Sequence, residues 1–211
     1  MEGLQRCAAH RGTANGAVPP GAVGASFDAA GAVPRRGPRL RPRRLDPAAR
    51  AAVRDHLRGL SDADRYLRFS QVISDAGLAD YVERIDFAGS VCLGTYDSDA
   101  QLIAFCQGFE YRCAGRKRWE VAFTTAPQWR RLGLARDMFA ALGRLAQGAG
   151  IDRLDTHCIC GNAAMRGLLR AVGATTVVED GEVEGQWDVA ANLPRLGPQA
   201  PHLGANGAGD D

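Results

Sequence analysis

The sequence predicts a mixed α/β domain, a central sheet of six to seven strands flanked by helices, and three observations carry that expectation. The first is the stretch Lys117 to Leu145. There Trp119, Val121, Phe123 and Thr125 alternate with Glu120, Ala122 and Thr124 in a strand pattern. A short basic turn then leads into a helix whose Leu134, Met138, Leu142 and Leu145 share one face. The second is the same order repeated, an apolar run over Arg153–Ile159 and then a helix opened by Asn162 with Met165, Leu168, Leu169 and Val172 at helical spacing. The third is a closing hairpin, Thr175–Val178 and Val183–Val189 around Asp180-Gly181. A strand–helix–strand order makes parallel neighbours through a right-handed crossover, whereas hairpins make antiparallel ones, so the sheet is mixed.

The remaining elements follow in chain order. Residues 1 to 36 are rich in Ala, Gly, Pro and Arg without periodicity, a composition too poor in apolar surface to offset ordering entropy, and they read as a disordered arm. Arg39-Leu40-Arg41-Pro42-Arg43 reads as a first strand at a sheet edge, where a proline is tolerated. Asp46-Pro47 opens a helix to about Leu60 in the favoured cap and first-position order. Ser61-Asp62-Ala63-Asp64 caps a second helix carrying Tyr66, Leu67 and Phe69, and a third helix or turn covers Asp75 to Ile85. Strands over Ser90–Tyr96 and Gln101–Tyr111 flank an Asp97-Ser98-Asp99 turn. Gly148-Ala149-Gly150 and Gly173 stop the two later helices, and Pro, Gly and Asn dominate from Ala190 on. The expected division is an arm at 1–36, a domain at 37–190 and a disordered tail at 191–211.

Composition narrows the function. With 45% hydrophobic residues in 211, the chain can bury a core of ordinary size. It has no run of 18 apolar residues and no continuous apolar leader, so neither a membrane span nor a secretory signal is expected. Six cysteines without metal spacing read as free, mostly buried thiols in a reducing cytoplasm. Residues 1–44 hold eight arginines against Glu2 and Asp28, a net charge of +6, so the remainder carries −4. An Arg-rich arm invites a nucleic-acid tether, but the rest of the chain gives that partner little support.

The turn between the central strand and its helix is an anion cradle by chemistry. First-turn N–H groups of a helix lack carbonyl partners, and the helix dipole adds partial positive charge there. Gly133 and the small Ala135 leave the approach open, and Arg130, Arg131 and Arg136 add charge. Neither common nucleotide loop, G-x-x-x-x-G-K-S/T or G-x-G-x-x-G, is present. Arg130, Gly133 and Ala135 instead resemble the acetyl-CoA signature of the GNAT superfamily of N-acyltransferases, an Arg or Gln, two residues, Gly, one residue, then Gly or Ala. Trp119-Glu120-Val121-Ala122 before it, and Cys160-Gly161-Asn162-Ala163-Ala164-Met165 after it, resemble that family's strand and its second helix opening. Arg-Leu-Arg-Pro-Arg-Arg, Gly59-Leu60-Ser61 and Arg65-Tyr66-Leu67-Arg68-Phe69 are similar to the start of bacterial protein-lysine acetyltransferase domains. The resemblance spans residues 38 to 189.

It implies a GNAT fold and an acetyl-CoA-dependent N-acetyltransferase, with a primary amine as acceptor, a protein lysine or a small amine. The loop from Arg130 through Arg131, Leu132, Gly133, Leu134 and Ala135 would hold the pyrophosphate. The backbone of Phe123, Thr124 and Thr125 would pair with the pantetheine arm, and Asn162 would face the thioester or simply cap its helix. Glu120 would be the base, since a protonated amine must lose a proton before attacking a carbonyl, or else a structural carboxylate that holds the sheet or an arginine. A carboxylate between Trp119 and Val121 is placed to have a raised pKa. The position seven residues after Asn162, often a tyrosine acid in the family, is Leu169, which raises the alternative of a catalytically silent acyl-CoA-binding module. Acidic residues in the early helices (Asp62, Asp64, Asp75, Asp80, Glu83, Asp86) and in the last hairpin (Glu179, Asp180, Glu182, Glu184) make either a plain solvated acidic surface or, since the family's acceptor groove runs there, a border suited to a cationic acceptor. A cytoplasmic location without metal is expected, and a homodimer is compatible with the sequence.

Overall fold

The computed structural model describes residues 40–197. The expected arm at 1–36 and the tail from 198 lie outside the described residues. Seven strands form one sheet in the order β1-β2-β3-β4-β5-β7-β6. They are β1 (Arg43–Arg44), β2 (Ser90–Tyr96), β3 (Leu102–Cys113), β4 (Arg116–Thr125), β5 (Arg153–Ile159), β6 (Thr175–Glu179) and β7 (Glu182–Asp188). Only β4 and β5 run parallel. The other neighbours are antiparallel.

Three helices, α1 (Arg50–Arg58), α2 (Asp62–Phe69) and α3 (Asp75–Glu83), pack on one face. Their core includes Val53, Leu57, Leu78, Val82 and the strand residue Phe105. On the other face lie α4 (Leu134–Gly148) and α5 (Ala163–Val172). There Met138, Phe139 and Leu142 meet Trp119, Val121, Leu154 and Trp187. The period of two along β4 decides which side chains go where. Trp119 and Val121 are buried toward α4, while Glu120 is exposed on the opposite face.

Asp46, Ser61 and Asn162, the caps the sequence marks, each accept a hydrogen bond from a first-turn amide, and Ser74 does the same for α3. Two boundaries move. The first strand shrinks to Arg43–Arg44, because Pro42 has no N–H to give and pairing with Leu93 and Gly94 begins after it. The chain also does not leave the fold at 190. Asp188 caps a short helix, α6 (Val189–Asn192), and a 3-10 turn follows at Leu193–Leu196. Leu193 is buried against the core, and Gly143 is bare because a Cβ there would meet the Trp187 ring at 2.7 Å and Leu193 at 3.2 Å. Polar composition hid this segment, since its anchors are the single apolar residues Val189 and Leu193. Cys92, Cys106, Cys158 and Cys160 are free as expected. Cys113 departs from that reading and is disulfide-bonded.

Candidate active site

The pairing of β4 with β5 covers only Arg118–Glu120 against Arg153–Asp155. Beyond Glu120 the strands part, and the rest of β4 is hydrogen-bonded on the β3 side alone, through Thr125. The freed edge holds Phe123, Thr124 and Thr125, a row of backbone groups open to an extended ligand. Immediately after it, Pro127 ends the ladder with a 3-10 turn, and Arg131 (φ +61°) and Gly133 (φ +85°) take left-handed conformations that aim the chain into α4. Gly133 is the cap residue, and the first intrahelical bond runs from the Asp137 amide to its carbonyl. The amides of Leu134, Ala135 and Arg136 therefore face outward without a helical acceptor. A Cβ on Gly133 would meet no protein atom, so the residue is glycine for its φ rather than for crowding.

The arginines divide. Arg130 donates to the Thr125 carbonyl at 3.2 Å and pairs with Asp64 on α2 at 2.7 Å. Two of its three nitrogens thus tie the end of β4 to α2, while the side chain stays partly exposed. Arg131 and Arg136 are exposed and have no ion pair among the described residues. Burial pushes the Asp64 carboxyl up, but hydrogen bonds from Arg130 and Ser61 outweigh it and the net shift is downward. Leu132 is exposed, Leu134 is buried under the cradle and Ala135 is half-buried.

Asn162 is buried, and its Oδ1 accepts from the Met165 amide at 3.0 Å. The amide nitrogen of its side chain has no partner among the described residues, so the capping residue keeps a donor unspent. Leu169 is wholly buried with Cys158 and Val183, and a Cβ at Gly185 would come within 2.6 Å of it. A tyrosine ring would not fit there.

Glu120 stands on the α1–α3 face with Phe109 across from it on β3 and Asp155 across from it on β5. Trp119 and Val121 point away, so they do not enclose its carboxylate. Beside it lies a network that the sequence reading missed. Asp155 is fully buried, accepts from the Tyr111 hydroxyl, and is met by Arg153 at 2.7 Å and Arg118 at 3.9 Å. Burial, then the Asp155 contact, pushes the Tyr111 hydroxyl up to about 12. Asp155 thus anchors three neighbours and leaves Glu120 as the carboxylate facing solvent. Also missed was His56 on α1, buried, whose Nδ1 lies 2.9 Å from the Leu102 carbonyl and whose Nε2 lies 2.8 Å from the Thr124 hydroxyl. A carbonyl only accepts, so Nδ1 carries the proton and Thr124 donates to Nε2. This locks the freed end of β4 to α1 and β3. Three of the six acidic residues named in the early helices are held in ion pairs, Asp64 with Arg130, Asp75 with Arg65, and Glu83 with Arg54.

A family model, acetyltransferase (GNAT) family, matches residues 60–174, more than half of the chain. The chain belongs to the GNAT family of acetyltransferases. No match was found among curated proteins. Among solved structures, it is similar to the GNAT domain of PAT from S. lividans, with 22% identity over 70% of this chain and 89% of that one and a TM-score of 0.61. The ribosomal-protein-S5-alanine acetyltransferase of Vibrio fischeri gives 9% identity, coverage of 72% and 93%, and a TM-score of 0.57. The spermidine N-acetyltransferase of Vibrio cholerae, solved with CoA and spermine, gives 14% identity, coverage of 72% and 96%, and a TM-score of 0.56. At these identities the likeness is one of fold.

Proposed function

We propose that this acetyltransferase moves an acetyl group from acetyl-CoA to a primary amine by direct attack in a ternary complex. The observation that carries the reading is the parting of β4 from β5 beside a glycine-capped helix N-terminus. The residues present fit the donor: outward amides at Leu134–Arg136 and the unpaired Arg131 and Arg136 suit a pyrophosphate. The freed β4 edge suits the peptide-like pantetheine, and the free amide of Asn162 suits its far end. Glu120, exposed at the point where the strands part, takes the proton from the incoming ammonium, directly or through water. The amine then attacks the thioester carbonyl, an amide near Phe123 meets the oxyanion, the nitrogen gives up its second proton to solvent, and the C–S bond breaks to release the thiolate. Leu169 supplies no acid, so the thiolate gains its proton from solvent.

The acceptor favoured is a lysine on a protein surface rather than a free polyamine. Glu120, Phe109, His157 and Val177 are exposed on the same sheet face, a floor open enough for an amine carried by a large partner. The test is Glu120→Gln. Turnover should fall about 100-fold, the size of a lost general base, while acetyl-CoA affinity stays unchanged. A wild-type chain that binds acetyl-CoA but acetylates neither peptides nor polyamines would support a silent binding module instead.

A further inference from the structure

The two edges of the sheet are built differently. The β1 edge is two residues long, both of them arginine, and follows Pro42. Short length, like charge and a preceding proline are the features that keep a strand edge from pairing with another chain. The β6 edge has none of them. It runs five residues, Thr175-Thr176-Val177-Val178-Glu179, in unbroken register with β7, and all five are exposed. Val177 is 44% and Val178 61% exposed, two of the five large apolar residues exposed among the described residues. An unguarded, β-branched, apolar edge is a template for strand addition.

We propose that β6 is a homodimer interface, pairing antiparallel with β6 of a second copy about a two-fold axis through Val177. The strand is self-complementary in that register. Val177 faces its own copy, Thr176 faces Val178, and the Thr175 hydroxyl faces the Glu179 carboxylate. Each residue thus meets a partner of matching chemistry, and the one charge in the strand meets a donor rather than its like. Moving the axis to Val178 would set Glu179 against Val177, and moving it to Thr176 would leave Glu179 without a partner in the strand. The chosen register also follows the faces of the monomer. Thr175, Val177 and Glu179 share the face of Glu120 and Glu184, while Thr176 and Val178 share the face of α4 and α5. Pairing therefore joins two sheets into one of fourteen strands and carries the open Glu120 face across the axis. The inference stands on the edge itself, and because Val177 also borders the proposed acceptor floor its test reads mass and not turnover.

Sedimentation velocity of the full chain from about 1 to about 200 μM covers the range in which a small interface of this kind dissociates. The expected result is a concentration-dependent rise from 22.4 kDa to twice that mass. Val177→Lys sets two ammonium groups against each other across the axis and should hold the chain at the monomer mass with its thermal unfolding unchanged. Val178→Lys should weaken the dimer in the same direction. Val72→Lys, at a residue 92% exposed in the loop between α2 and α3, should leave the dimer intact. A monomer throughout the range overturns the proposal and points to another partner for the edge. So does a dimer that survives Val177→Lys and Val178→Lys, or one that Val72→Lys dissolves.

Discussion

His56 shows what a single buried residue does for the site. Loss of hydration lowers its pKa to about 4, with the Leu102 carbonyl pulling the other way, so the ring is neutral across the working range. A depressed histidine costs no stability while it is unprotonated in both states. Below pH 6.5 the unfolded chain takes up a proton that the folded one refuses, so stability is lost as pH falls from there toward 4. The full loss is roughly 3 kcal/mol. Urea unfolding between pH 7 and 4 should therefore show a steeper decline for the wild type than for His56→Gln, which cannot titrate. Parallel curves would remove the buried neutral imidazole from the account. Sequence reasoning reached Glu120 and Asn162 because each sits in a local pattern, a strand alternation and a helix cap. It missed His56 and Asp155 because their partners lie far along the chain, 46 and 68 residues from His56 and 44 from Asp155 to Tyr111. It did not foresee the Arg130–Asp64 ion pair for the same reason, since Asp64 lies far along the chain on α2.

The strand–turn–helix from Arg116 to Gly148 carries the proposed cradle, and its boundaries were legible. Pro127 stops one element and Gly133 starts the next, both through φ. The parting of β4 from β5 was legible only through resemblance, because nothing in either strand's own sequence ends the pairing after Glu120. Gly133→Val tests the turn without filling space the protein needs. A β-branched residue at φ +85° costs roughly 1–2 kcal/mol, and its side chain projects into the open approach. Isothermal titration should show acetyl-CoA affinity down at least 10-fold, about 1.4 kcal/mol, with the fold retained by circular dichroism. Unchanged affinity would move the pyrophosphate away from this helix end. At α5 the reverse substitution is informative. Leu169→Tyr should fail to add an acid and should instead destabilise the domain, by the 1–3 kcal/mol typical of overpacking, because Gly185 leaves no room for a ring.

For the molecule as a whole, the open question is where the fold ends, and the answer rests on Leu193. The chain returns after β7 through α6 and lays Leu193 against Trp187 over Gly143, so the central ring Phe139, the Trp187 indole and this leucine close one side of the main core. The Trp187 indole nitrogen also donates to the Val172 carbonyl at 2.8 Å, which ties the end of α5 to the same wall. Cutting the chain after residue 190 removes Leu193 and Asn192 and opens that wall to water, although composition alone marks everything past 190 as dispensable. Loss of a buried leucine costs about 2–5 kcal/mol, which for a domain of this size lowers the melting temperature by roughly 10 °C. A chain ending at 197 should melt with the full-length protein, and Leu193→Ala should reproduce most of the loss in the intact chain. Equal melting of the 190 and 197 truncations would show that Trp187 is covered without help from the segment, and the domain would then end with β7.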